Sequence, residues 1–530
     1  MLWRVALCSC NETLPVDAAA VQRALGLDEA PERFDRLPRD QIHRFMDWLG
    51  RERPDRVVVG CCAPAELIRE AASAAGVAPS VVDVVNLREG CFWMHPDPVT
   101  ASAKAARLLR AAMRTAVTTR PVSGIPVKVG TTVLIASDSP AGIALAHRLG
   151  ALARPILILD ERSSRFDGER ARALPWKVNW GRVVKVDGAL GAFRVTVEHQ
   201  QPIDLRACIY CERCVPVCHT SAISHGLRLR MELCDQCGDC LEACAHVGAI
   251  KIPRAEREAI SAGQVVVIGS DGIHVADGRR ARTGHHRLVE PSPADLDALS
   301  LKILGLVGEF QKPAYVHYDP HTCAGGAAGR QACGRCVPAC PYDAIARDPR
   351  EPLRVMVDLA GCEGCGACVA VCPTSSLTFA DPAPAVVDAR LRALLAPLPG
   401  APAAPLVVAY HCPEQGASTL DDAGRARRSF SPSVLPMSMA CLRHVSEADL
   451  LTAFRYGAAG VALVGCEACP HGERQALLDR LAVVKIVLEA FGLGGDRVQM
   501  ITGEPVEAVA GLGRFAAALA PSPVRWDGDG

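Results

Sequence analysis

The chain has 530 residues, with 58 Lys+Arg balancing 58 Asp+Glu. That length exceeds what one hydrophobic core supports, so about three to five domains are expected. The zero net charge and an aromatic content of 4% exclude a phosphate-driven or base-stacking nucleic-acid binder.

No stretch reads as a membrane span, and Met1 to Cys10 carries Arg4 and runs into polar residues, unlike a secretory signal. The 25 cysteines are therefore expected to be reduced cytoplasmic thiols serving metal or redox cofactors. They fall into four groups: before position 92, at 208–244, at 323–372 and at 412–469. Core cysteines would be scattered; ligand sets are clustered.

In residues 1–120, strands are expected at 4–7, 56–59 and 81–85, with helices at 39–49, 66–75 and 102–116. This is a small α/β domain whose strands run into Cys8, Cys10, Cys61 and Cys62, with Cys91 after the third. Cys8, Cys10, Cys62 and Cys91 are candidate ligands of a further cluster; incidental buried thiols are the alternative.

Residues 131–160 read strand, turn, helix, strand, the plan of a dinucleotide-binding unit, with Gly142 opening the helix and Asp160 placed for a ribose hydroxyl. Ser137 and Ser139 stand where G-x-G-x-x-G has its first two glycines. A side chain at the second blocks the approach of the backbone to a pyrophosphate, and Asp138 adds negative charge. The expectation is a degenerate Rossmann-like domain (121–203 and 253–312) that does not hold FAD tightly. Gly269 to Gly272 is read as a plain turn.

An inserted ferredoxin module (204–252) interrupts that domain. It carries C-x2-C-x2-C-x3-C twice, a spacing in which three thiolates of one loop grip one 4Fe–4S cluster and the fourth reaches the other. One cluster then takes Cys208, Cys211, Cys214 and Cys244; the other takes Cys234, Cys237, Cys240 and Cys218. Zinc would use two separated pairs instead. His219 and Ala245 replace the prolines common after the fourth cysteine.

A second module (313–382) repeats the device, giving four 4Fe–4S clusters in all. Cys362, Cys365, Cys368 and Cys340 form one expected set. Cys323, Cys333, Cys336 and Cys372 form the other, across a Gly/Ala-rich insert.

The proline-rich segment 383–404 reads as a linker. Residues 405–530 alternate strand and helix around a parallel sheet. Cys412, Cys441, Cys466 and Cys469 lie beyond strand ends, enough for one 2Fe–2S cluster or, on the same residues, a tetrahedral zinc. The fold class is thus α/β multidomain, with two ferredoxin modules between a small N-terminal and a C-terminal α/β domain.

These residues carry a resemblance. Cys8-Ser-Cys10, Val57 to Pro64, Asn86 to His95, Lys104, Phe193 to Val197 and the two modules make residues 1 to about 380 similar to the A subunit of heterodisulfide reductase. Cys441, Gly460 to Cys466 and the helix ending at Phe491 make residues 405 to about 505 resemble the delta subunit of methyl-viologen-reducing hydrogenase. The resemblance implies FAD and ferredoxin-type clusters in the first part and a 2Fe–2S cluster in the second. The chain departs at Ser137 and Ser139, at Gln415, where the delta subunit has a cysteine, and in the short Cys466–Cys469 spacing.

The function expected is a multi-cluster electron-transfer subunit relaying electrons between a dehydrogenase or electron-transfer flavoprotein and another redox partner. The alternative is an FAD-containing, electron-bifurcating or heterodisulfide-reductase-type oxidoreductase subunit. No catalytic residue stands out; His219, His246, His285 and His286 are read as loop histidines without partners.

Overall fold

The computed structural model describes residues 2–118, 122–160, 163, 174–253, 256–269, 282–327, 333–399, 404–465, 469, 471–472, 474–524 and 526. Three parallel sheets organise the mixed α/β chain, and each grows from short runs of β-branched residues buried on both faces. The N-terminal sheet has the order Glu32–Phe34, Trp3–Cys8, Arg56–Cys61, Val82–Asn86. The central sheet runs His285–Leu288, Gln264–Ile268, Thr132–Ser137, Arg154–Leu159, Lys177–Trp180. The C-terminal sheet runs Val434–Ser438, Val407–His411, Gly460–Val464, Val498–Ile501.

An antiparallel ribbon joins the central sheet to the first module. Phe193–His199 pairs with Glu256–Ala262 from Phe193↔Ala262 to His199↔Glu256. The intervening residues project from the open end of this ribbon. They return through the bridge Ile203↔Ile250 and bury Leu205, Ile223, Leu227 and Leu229 in the same core as Val133, Leu157 and Trp180. The second module is held by two short antiparallel pairs, Val316–Tyr318 with Leu377–Phe379 and Ile345–Arg347 with Val355–Val357.

The first half of the segment expected as a linker, 383–404, is helical. Pro384–Leu395 is a helix with Pro in its first turn, and its buried Val387, Leu391 and Leu394 join the C-terminal core together with Ala111 of the helix Pro98–Thr118. Arg107 donates to the carbonyls of Leu394 (2.8 Å) and Ala396 (2.7 Å), and Arg110 to those of Ala393 and Ala396, so two N-terminal guanidinia satisfy the helix's last carbonyls. The prolines that suggested a loop lie at its start and after its end.

The two terminal α/β units pack on one another although hundreds of residues separate them. Met94 lies within the C-terminal core, the His95 ring meets Phe430 edge-on, and Gly424 lies against the backbone of Glu89, where a Cβ would come 2.5 Å from the carbonyl oxygen. Two of the histidines read as loop residues are elsewhere: His285 and His286 occupy a strand and are buried. His219 is partnered, its Nε2 lying 2.9 Å from an Asp235 carboxylate oxygen. Of the turn read at Gly269 to Gly272, the last three residues lie outside the described ones. Among the described residues no helix is long and apolar enough to cross a membrane.

Candidate metal centres

Three of the cysteine loops share one backbone device. The residues on either side of the middle cysteine are left-handed: Tyr210 (φ 56°) and Glu212 (φ 57°), Gln236 (φ 61°) and Gly238 (φ 91°), Gly364 (φ 68°) and Gly366 (φ 66°). Alternating hand curls each loop so that its three sulfurs converge. Non-glycine residues accept the strain at three of the six positions.

In the second module, Cys323, Cys333, Cys336 and Cys372 line one cavity of about 380 Å³, together with Tyr318, Arg347 and Leu377. The insert after Cys323 opens as the short helix Ala324–Ala327 and does not carry Cys323 away. The Cys336 thiol is pushed up to about 11, by burial first and then by the neighbouring Cys323, Cys333 and Cys372. The other set forms beside it. Burial raises the Cys368 thiol, and Cys365, Cys362 and Cys340 raise it further. The Cys340 sulfur also accepts the Ala344 N–H at 3.3 Å.

In the first module the same sorting holds. The Cys214 thiol is raised to about 11 by burial, with Cys208, Cys244 and Cys211 as its thiol neighbours. That of Cys240 is raised by burial and then by Cys234, Cys218 and Cys237. Four thiols that raise one another in a half-buried site cannot all ionise unless positive charge lies among them. Such a donor set fits a polycationic iron–sulfur core.

The C-terminal cysteines sit beyond their sheet, as strand ends in parallel α/β sheets allow. Cys412, Cys441 and Cys469 line a cleft of about 610 Å³ with Gln415, Arg443 and Gly465; Cys466 lies outside the described residues. The Cys412 sulfur accepts the Gly416 N–H at 3.2 Å. Cys441 is pushed up to about 12 by burial, and its first thiol neighbour is Cys365 of the second module, ahead of Cys469 and Cys412. Cys365 and Cys441 share a small buried cluster with Tyr342 and Ala367. The Tyr342 hydroxyl lies 2.5 Å from His471 Nδ1, and Arg443 donates to the His471 carbonyl at 3.0 Å. Sequence reasoning missed Tyr342, Arg443 and His471. Each follows or precedes a cysteine closely, but their meeting depends on domain docking.

The N-terminal cysteines sort differently from expectation. Cys10 and Cys62 stand 3.6 Å apart, sulfur to sulfur, and Cys61, raised to about 12 by burial, has Cys62, Cys8 and Cys10 as neighbours. Cys91 is not among them. It is wholly buried, and its charged neighbour is Lys104, whose Nζ lies 3.0 Å from His95 Nε2. The Arg88–Phe92 turn buries Cys91 in one core with Ala101, Ala105 and Leu109 of the Pro98–Thr118 helix. The quartet brought together is therefore Cys8, Cys10, Cys61 and Cys62.

A flavin pyrophosphate does not fit the loop after Thr132–Ser137. The Ser137 hydroxyl donates to the Ser139 carbonyl (2.8 Å) and accepts the Ser139 N–H (3.1 Å), taking the donor a phosphate would need. Gly142 gives its space to Ser137: a Cβ there would come 2.3 Å from the Ser137 Cβ. The Asp138 carboxylate lies over Gly269, placing negative charge at the mouth between the two strands. Asp160 is buried, its N–H bonded to the Ser137 carbonyl at 3.0 Å.

With this geometry in hand, similarity to known proteins divides along the chain. Residues 407–512 match the family model of the methyl-viologen-reducing hydrogenase delta subunit. Residues 330–376 match a 4Fe–4S dicluster domain. Curated relatives include an iron–sulfur A subunit of CoB–CoM heterodisulfide reductase from Methanopyrus kandleri, 29% identical over 31% of this chain and 29% of its own length. The iron–sulfur A subunit of the Methanocaldococcus jannaschii CoB–CoM heterodisulfide reductase is 25% identical over 48% of this chain and 47% of its own. The A subunit of a ferredoxin:CoB–CoM heterodisulfide reductase from Methanosarcina acetivorans is 31% identical over 22% and 15%. The chain thus spans less than half the length of each of these relatives. The second module is a 4Fe–4S dicluster domain, and the chain is similar to the iron–sulfur subunits of heterodisulfide reductases.

Proposed function

We propose that the chain is an iron–sulfur electron conduit linking a dehydrogenase or flavoprotein to a second redox partner. Cys208, Cys211, Cys214 and Cys244 would hold one 4Fe–4S cluster, and Cys218, Cys234, Cys237 and Cys240 the next. In the second module Cys323, Cys333, Cys336 and Cys372 would hold a third, and Cys340, Cys362, Cys365 and Cys368 a fourth. Cys412, Cys441 and Cys469, with Cys466, suit a 2Fe–2S cluster, and Cys8, Cys10, Cys61 and Cys62 a further one. Bound clusters supply reversible one-electron chemistry.

The observation that carries the reading is the abutment of Cys365 on Cys441. It makes the second module and the C-terminal domain one continuous series of thiol sets, which isolated structural staples would not need. The protein's own residues then have defined work. Burial and backbone N–H donors such as those of Ala344 and Gly416 tune the sulfurs. Tyr342 of the second module holds His471 of the C-terminal domain, whose carbonyl Arg443 fixes in turn. The parallel central sheet, a degenerate Rossmann-like unit in this reading, serves as a rigid mount for the first module.

Anaerobically purified protein should contain about sixteen irons from the two modules. Electron paramagnetic resonance on reduction should show magnetically coupled clusters. Zinc in place of iron, or a count far below this, would overturn the proposal.

A further inference from the structure

The two ferredoxin-type modules differ in what covers them. Among the described cysteines only Cys211 and Cys237 are exposed, and each is the middle cysteine of a loop in the first module. Their counterpart Cys365 is buried beneath the C-terminal domain. Close in sequence to the first module's exposed cysteines stand large apolar side chains with more than a third of their surface exposed: Ile209 (62%), Val217, Met231, Leu233 and Leu241. Single exposed apolar residues are ordinary, but five gathered within a few positions of the ligand cysteines mark an interaction surface.

The rim has a sign. Within five residues of Cys237 the exposed charges are acidic, Glu232, Asp235, Asp239 and Glu242; the exposed basic groups of the module include Arg213, beside Cys214, Arg230, and His219, the last engaged with Asp235 at 2.9 Å. An apolar centre inside an acidic rim fits a partner of the opposite pattern, and such complementarity mainly speeds encounter and sets orientation.

We propose that the face of the first module around Cys237 is the docking surface for a redox protein that presents an apolar patch ringed by lysine or arginine. The inference rests on the cluster reading above and adds to it the end of the conduit that opens to solvent and the charge of what meets it there.

The probe is oxidised cytochrome c, a small haem protein with a lysine-ringed haem edge, titrated calorimetrically into the anaerobic full-length chain. Binding is expected to weaken about tenfold or more between low and high salt, and about tenfold in Glu232→Lys/Glu242→Lys. Glu351→Lys, a charge reversal on the second module, should leave binding unchanged. In the unmodified chain, carbodiimide should cross-link cytochrome c to peptides holding Glu232, Asp235, Asp239 or Glu242. Unchanged binding in the double variant, an equal loss in Glu351→Lys, or cross-links confined to the second module or the C-terminal domain would overturn the proposal. So would tighter binding of an acidic flavodoxin. Iron and sulfide counted in the same samples report on the cluster reading separately, because affinity and cross-link position are read without electron transfer.

Discussion

Gly366 and Gly238 occupy the same place in two cysteine loops and separate two physical effects. Both are left-handed, at φ 66° and φ 91°. A Cβ at Gly238 meets nothing within 4 Å, whereas at Gly366 it would lie 2.7 Å from the His444 Cβ and 3.1 Å from its Cα. The His444 Cβ is held in place by its own Cα and cannot swing aside. Gly238→Ala should therefore cost only the left-handed strain, about 1–2 kcal/mol. Gly366→Ala adds overpacking of about 1–3 kcal/mol, for a total of roughly 2–5 kcal/mol. Hydrogen exchange followed by mass spectrometry resolves where that cost falls. In Gly366→Ala the amides of His444 and Val445, bonded to the Cys441 and Leu442 carbonyls, should exchange about thirty- to several-thousand-fold faster. In Gly238→Ala the amides of Leu241 and Glu242, bonded to the Gly238 carbonyl, should quicken only about five- to thirty-fold, with the C-terminal domain unmoved. Equal effects of the two substitutions, or a rise spread evenly over the chain after Gly366→Ala, would refute the claim that this glycine exists to let the second module touch the Leu442–His444 turn.

Further outcomes follow from the same geometry. Cys336→Ser and Cys368→Ser should each lose about four irons per chain and Cys91→Ser none, by colorimetric iron assay; iron loss from Cys91→Ser would return that residue to the ligand set. His95 is pushed down to about 3, by burial first and then by Lys104. The unfolded chain takes up a proton below about pH 6.5 that the folded one refuses, so stability should fall as pH drops from there towards 3. Lys104, wholly buried, is pushed down to about 8. Unfolded Lys104 keeps its proton up to about 10.5, so its contribution should rise with pH between about 8 and 10.5, by about 3 kcal/mol at most. The difference in urea midpoint between the native chain and Lys104→Met isolates that rise from thiol titration, and a difference independent of pH would contradict it. FAD in large excess should leave the thermal unfolding temperature unchanged, because the Ser137 hydroxyl already engages Ser139 and the Asp138 carboxylate lies over Gly269; an upward shift would show that the loop still opens to nucleotide.

Much of the site was legible because ligand spacing is local. Cys208 to Cys214 and Cys234 to Cys240 dictate their loops within seven residues, and the fourth cysteine of each motif lies only four beyond. Ser137 and Ser139 were equally plain as side chains where a dinucleotide loop has glycines, and in the fold they bond one another. What the sequence left open depends on meetings between distant segments. Cys61 rather than Cys91 joins Cys8 and Cys10, because adjacent parallel strands end side by side while the Arg88–Phe92 turn looks into the core. Prolines at both ends disguised Pro384–Leu395 as a linker, yet its apolar stripe found Pro98–Thr118 and the arginines that cap it. Composition and spacing thus determined which neighbouring thiols form sets. Which sets stand next to one another, and which face solvent, was decided only when Gly366 let one domain close on the next, because contact across hundreds of residues is paid for by burial that no local pattern records.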